Sequence, residues 1–194
     1  MLRRFDIEET QRFVHTVDAE LSAPCSLVLA GETALSLGYC PDRSIVDLEV
    51  WSTTDRVIWT AAERAGEMIP RPIRLRQSPL VQPEMSFEGR LQESPVLTGM
   101  RSLKVLVPEA HDLVLLLAPR ALSPSAFADL HRNHPLSLPT LVERYHEMAR
   151  ELPVPRERLK ASFLVIVAKL FGDAKAAALG REFGGGTGLA GRAQ

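Results

Sequence analysis

Residues 27–51 read Leu-Val-Leu-Ala-Gly-Glu-Thr-Ala-Leu-Ser-Leu-Gly-Tyr-Cys-Pro-Asp-Arg-Ser-Ile-Val-Asp-Leu-Glu-Val-Trp, and the fold turns on this stretch. Its apolar opening, with the preceding Ser26, predicts a short buried strand over Ser26 to Ala30. Gly31 then turns the chain into a short helix over Glu32 to Leu37, closed by Gly38. A second strand is expected over Ser44 to Trp51. Alternate residues of a strand share a face, so Val46, Leu48 and Val50 look one way and Ile45, Asp47, Glu49 and Trp51 the other. Asp47 and Glu49 should therefore point together into one cleft beside the Gly31 turn. Two carboxylates so placed can hold Mg²⁺, which bridges nucleotide phosphates, and a glycine turn lets backbone N–H groups approach those phosphates.

On the N-terminal side, Asp6 and Glu9 have the spacing of a capping pair. Ile7, Thr10, Val14, Val17 and Leu21 then recur at helical spacing, so a helix is expected over 7–21. On the C-terminal side, a helix over 54–65 leads through Pro70-Arg71-Pro72 into an extended segment, Ile73 to Gln77. A loop follows over 78–98, with an edge strand near Met85 to Leu91, and then a strand over Leu103 to Val107. From Pro108 the pattern is helical throughout. Helices are expected from Pro108-Glu109, from Ser123-Pro124 through Leu130, from Leu138 to Glu151 capped by Ser137, and over Arg156 to Leu179. Residues 180–194, with Gly184-Gly185-Gly186, read as a mobile tail. The expected fold is α/β (α+β): a small mixed sheet flanked by helices over 1–107, a helical part over 108–179, and the tail. No internal repeat is visible.

The whole-chain arithmetic is neutral. The 194 residues include 23 Lys and Arg against 24 Asp and Glu, a net charge of −1. No global field draws the protein to nucleic acid or to an anionic membrane. With 45% hydrophobic residues the chain is globular, not disordered or fibrous. Met1 to Asp6 carry charge with no apolar stretch behind them, and no apolar run approaches the length of a membrane span. A cytoplasmic protein without membrane contact is expected. Cys25 and Cys40 are expected to be reduced and structural. His131 and His134 lie three apart, but Pro135 follows at once and no acid stands at metal-ligand spacing.

Gly31 to Leu35, Arg43 and Asp47-Leu48-Glu49 resemble the motif of minimal nucleotidyltransferases, in which a Gly-Gly or Gly-Ser turn precedes an arginine and an Asp-x-Asp strand. The abortive-infection and toxin–antitoxin branch of these prokaryotic proteins is the most similar. Val107-Pro108-Glu109, Asp112-Leu113 and Asp129-Leu130 stand in the order that this branch shows after the motif. The resemblance covers about residues 21–148. It implies a nucleotidyltransferase-like fold and transfer of a nucleotide from an NTP to tRNA or to a protein, as a toxin or defence factor with a cognate antitoxin or other partner. By the same resemblance Asp47 and Glu49 are the catalytic and metal residues holding Mg²⁺, and Gly31, Glu32, Thr33 and Arg43 the nucleotide-binding ones.

The chain also departs from the pattern. Glu32 stands where the family has Gly or Ser, and Glu49 stands for Asp. The strand Ile73-Arg74-Leu75-Arg76 lacks the third acid, and Leu116 or Leu117 falls near the place of a helix lysine. These departures imply the alternative, a catalytically degenerate relative that acts as a binding or interaction module. Each residue also has a plainer role. Asp47 and Glu49 could be a strand face paired with Arg43 or Arg74, and Gly31 a simple turn. Arg74 and Arg76, on one face of an extended segment, could contact phosphate or serve as a solvated edge.

Overall fold

The computed structural model describes residues 3–51, 55–79, 87–120, 124–151 and 154–184. Asp6 begins the first helix with a reciprocal cap. Its carboxylate accepts the Glu9 N–H at 2.8 Å, and the Glu9 side chain accepts the Asp6 N–H at 3.4 Å. Helix α1 (Ile7–Ala19) buries Phe13, Val14 and Val17. Strand β1 (Cys25–Val28), helix α2 (Gly31–Tyr39) and strand β2 (Leu48–Val50) then follow. Helix α3 (Arg56–Met68) is capped by Asp55 and leads to strand β3 (Leu75–Gln77). Strands β4 (Gln92–Glu93) and β5 (Leu103–Val107) are the remaining strands among the described residues.

The result is a mixed α/β fold. Strand β5 lies between β1, with which it is parallel, and β4, with which it is antiparallel. Strands β2 and β3 form a parallel pair of their own. An antiparallel bridge at Leu29–Val50 joins the two groups, with Ala30 N–H donating to Glu49 O at 2.8 Å and Trp51 N–H to Val28 O at 3.0 Å. The end of β1 is thus stitched to β2, and the Gly31 turn lies directly beside Glu49.

The C-terminal part is helical: α4 (Ala110–Leu117), α5 (Pro124–Asn133), α6 (Leu138–Glu151), α7 (Arg156–Phe171) and α8 (Asp173–Gly184). One buried cluster includes Leu27, Leu35 and Val107 together with Leu113, Leu117, Leu141 and Phe163. The sheet and the helices that follow it share a core. Cys25 and Cys40 are free thiols, each pushed up in pKa by burial. Among the described residues no helix is long and apolar enough to cross a membrane.

Several sequence expectations need correction. The helix expected over 156–179 is two helices. Gly172 sits at φ +97°, a conformation that favours glycine, and the chain restarts at Asp173, whose acid suits a helix N-terminus. Residues 180–184, expected in the tail, are the last turn of α8; residues 185–194 lie outside the described residues. Of the edge strand expected near Met85 to Leu91, the described residues 87–91 form none. Glu88–Arg90 form a 3₁₀ turn, β4 starts at Gln92, and residues 80–86 lie outside the described residues. Phe87 packs edge-on against Trp51 instead of alternating in a ladder. Residues 44–47 are likewise not strand, apart from an antiparallel bridge between Ile45 and Phe5.

Candidate functional site

Parallel pairing sets the chemistry of the cleft. In the β2–β3 register Glu49 is the partner of Arg76, and paired residues of neighbouring strands project to the same side. Arg76 therefore reaches both acids. Its Nε donates to Asp47 Oδ2 at 2.6 Å, and a terminal nitrogen donates to Glu49 Oε2 at 2.7 Å. Asp47 and Glu49 do converge, and a guanidinium lies between them. The bond to Asp47, opposed by partial burial and reinforced by the Glu49 charge, raises the Arg76 pKa further.

Glu49 is only 2% exposed. A second guanidinium, that of Arg120 just beyond α4, meets it at 2.8 Å (Oε1) and 3.0 Å (Oε2). Ser78, directly after β3, donates its hydroxyl to Oε1 at 2.7 Å. Both Glu49 oxygens are bonded, as a buried charge requires.

Gly31 fits this arrangement sterically. Its φ is +60°, and a Cβ there would stand 2.4–2.6 Å from the Glu49 carboxyl atoms. The glycine makes room for a carboxylate of the protein itself. Glu32 is exposed in the first turn of α2. It lines a cleft of about 440 Å³ together with Thr33, Asp47, Glu49, Arg76 and Arg120.

The remaining sequence candidates play other parts. Thr33 is buried; its hydroxyl donates to Asp47 O at 2.8 Å and accepts the Glu49 N–H at 3.0 Å. It stitches α2 to the acid-bearing segment. Arg43 is not among the residues lining the cleft. It pairs with Asp129 of α5 at 3.3 Å, and its carbonyl accepts from Ser36.

Sequence reasoning missed Arg120 and Ser78, which reach Glu49 from 71 and 29 residues away. It placed Arg74 and Arg76 on one face but named Arg43 or Arg74 as the partner of the acids, and Arg43 pairs with Asp129 instead. Register decides for Arg76, because parallel pairing sets it opposite Glu49.

The donor set does not fit Mg²⁺ as it stands. A magnesium site needs carboxylate oxygens directed at the ion, whereas both Glu49 oxygens and one of Asp47 are held by guanidinium or hydroxyl donors. Among the described residues no group of three or more His, Cys, Asp or Glu side chains could hold a metal.

A second buried acid provides a reference. Asp112 of α4 is fully enclosed and accepts two bonds from Arg90, at 2.7 and 3.0 Å. Arg144 of α6 stands 3.9 Å away, and Glu147 balances Arg90 and Arg144 at 3.3 and 3.0 Å. Burial raises the Asp112 pKa, against the lowering by Arg90. Comparison of the chain with protein-family models, with curated proteins and with solved structures found no match.

Proposed function

We propose that the protein is a catalytically degenerate, nucleotidyltransferase-like module whose cleft serves recognition, not nucleotide transfer. One observation carries this reading: the Arg76 guanidinium lies between Asp47 and Glu49, where the transferase motif would place a cation. Arg120 adds a second positive charge, and Glu32 opposes a polyphosphate at the mouth. Near a protein surface two like charges about 4 Å apart repel by roughly 4 kcal/mol. A partner of the toxin–antitoxin kind, such as a cognate antitoxin or another protein, would meet a cleft rim of mixed charge.

The transferase reading retains one supporting observation, the convergence of Asp47 and Glu49 at the positive-φ turn of Gly31. Under it the substrates would be an NTP with Mg²⁺ and a tRNA or protein acceptor. Calorimetric titration with Mg-NTPs separates the two. A recognition module binds no NTP, and neither Glu32→Gly nor Asp47→Ala creates binding. Binding that tightens in Glu32→Gly and vanishes in Asp47→Ala would restore the nucleotide site.

A further inference from the structure

The connection between α5 and α6 is held by two imidazoles. Ser137 donates its backbone N–H to His111 Nε2 at 2.9 Å, and Leu136 donates its N–H to His131 Nδ1 at 3.0 Å. Consecutive amides of one connector thus depend on histidine lone pairs from two different helices, α4 and α5. Each bond fixes a protonation state. A nitrogen that accepts an N–H carries no proton, so both rings are neutral. His111 Nδ1 lies 2.7 Å from Glu109 Oε1, which places its single proton on Nδ1. His131 must carry its proton on Nε2.

We propose that His111 and His131 form an acid-released latch on the start of α6. An imidazolium has no lone pair, so protonation of either ring turns an acceptor into a donor facing another donor. The connector amide must then let go. Histidine is the side chain whose ordinary titration, near pH 6.5, makes this change under mild conditions.

The carboxylate of Glu109 faces His111. Glu109 caps α4 by accepting the His111 N–H at 3.0 Å, and it would pair with an imidazolium across the 2.7 Å contact. Burial opposes ionisation of Glu109, but the His111 bonds outweigh it and hold its carboxyl below the usual range. His131 meets the Phe171 ring of α7 edge-on, and Lys175 of α8 lies on that same ring. On its own helix Asp129 is bridged to Arg132 and to Arg43. His134, just past α5, meets the Tyr39 ring edge-on. Both latch histidines are partly exposed, so protons reach them without unfolding.

The latch has a local reach. Ser137 also caps α6 through its hydroxyl, which accepts the Thr140 N–H at 3.4 Å. Losing the two imidazole bonds frees the connector while that cap remains. Acid therefore loosens residues 136–137 and leaves the body of α6 packed.

Amide hydrogen exchange on the full chain, corrected for intrinsic rates, tests the latch. Between pH 7.5 and 5.5 the protection of Leu136 and Ser137 should fall about five-fold each, the weight of one hydrogen bond. Protection in α1 should not change. The double variant His111→Gln, His131→Asn keeps an acceptor oxygen near each nitrogen but cannot titrate; its protection should be independent of pH. Protection that is unchanged in the wild type, or that falls equally in the variant, would overturn the latch. Should the variant not fold, imidazole ¹⁵N spectra of the wild type at pH 8 decide. His111 must be the Nδ1–H tautomer and His131 the Nε2–H tautomer; either ring in the opposite form overturns the proposal.

Discussion

Glu49 and Asp112 are each enclosed by two arginines, yet the two clusters stand in different surroundings. Around Asp112 the arginines are themselves largely covered, with Arg90 and Arg144 each 20% exposed in their side chains. Around Glu49 the Arg76 side chain is 47% exposed and lines an open cleft. The first cluster fastens α4 to α6 and to the 3₁₀ turn. The second closes the end of a sheet beside a glycine turn. A buried acid with two arginines is thus not itself a functional sign. What separates the two is access, because one guanidinium of the Glu49 cluster can turn into water and those of the Asp112 cluster cannot.

The largest expected effect is at the closed cluster. Asp112→Ala would leave Arg90 and Arg144 with Glu147 alone, and breaking a buried pair on one side costs about 3–5 kcal/mol. Urea unfolding measures it. A cost below about 1 kcal/mol would mean that the helices repack and that the cluster fastens nothing.

A third acid sharpens the contrast by pairing with backbone instead of arginine side chains. Asp18 accepts the N–H groups of Arg101, Ser102 and Leu103 at 2.7–2.8 Å, just where β5 begins. Desolvation raises its pKa, but these three bonds outweigh it and the net shift is downward. A depressed folded value means stability that is full above the unfolded value, about 3.9, and lost as pH falls through the folded one. Asp18→Asn should cost about 2 kcal/mol at pH 7. It should also flatten the loss of stability below about pH 4. An unchanged acid slope in the variant would assign that loss to other carboxylates.

At the open cluster the effects are smaller and coupled. Gly31→Ala strains a left-handed backbone by about 1–2 kcal/mol and drives its methyl group into the Glu49 carboxylate. Glu49→Ala should cost about 1–2 kcal/mol, less than Asp112→Ala, since Arg76 regains water. The double variant should cost less than the sum, because removing the carboxylate relieves the contact. Strict additivity would show that Gly31 and Glu49 do not touch.

Much of this was legible in the sequence wherever local rules decide. The Asp6 and Glu9 cap, the strand at Leu103 to Val107 and the helix from Leu138 to Glu151 follow from capping and periodicity, and the structure places them there. The convergence of Asp47 and Glu49 was expected from the two-residue period of a strand, but Asp47 lies just before β2 and it is Arg76 that joins the pair. The arginines that answer those acids were not legible. Arg76 depends on the β2–β3 register and Arg120 on where α4 ends against the sheet, and neither is a local property. Gly172 was legible but overlooked, since the apolar residues on either side of it continue the helical pattern.

Nucleotide transfer tests the central claim most directly. The full chain would be incubated with labelled NTPs, Mg²⁺ and total tRNA, beside an Asp47→Ala control. With Arg76 and Arg120 holding the acid pair, we expect no label on tRNA or protein above the control. Label that appears with the wild type and disappears with Asp47→Ala would contradict the account and restore the acid pair as a catalytic metal site.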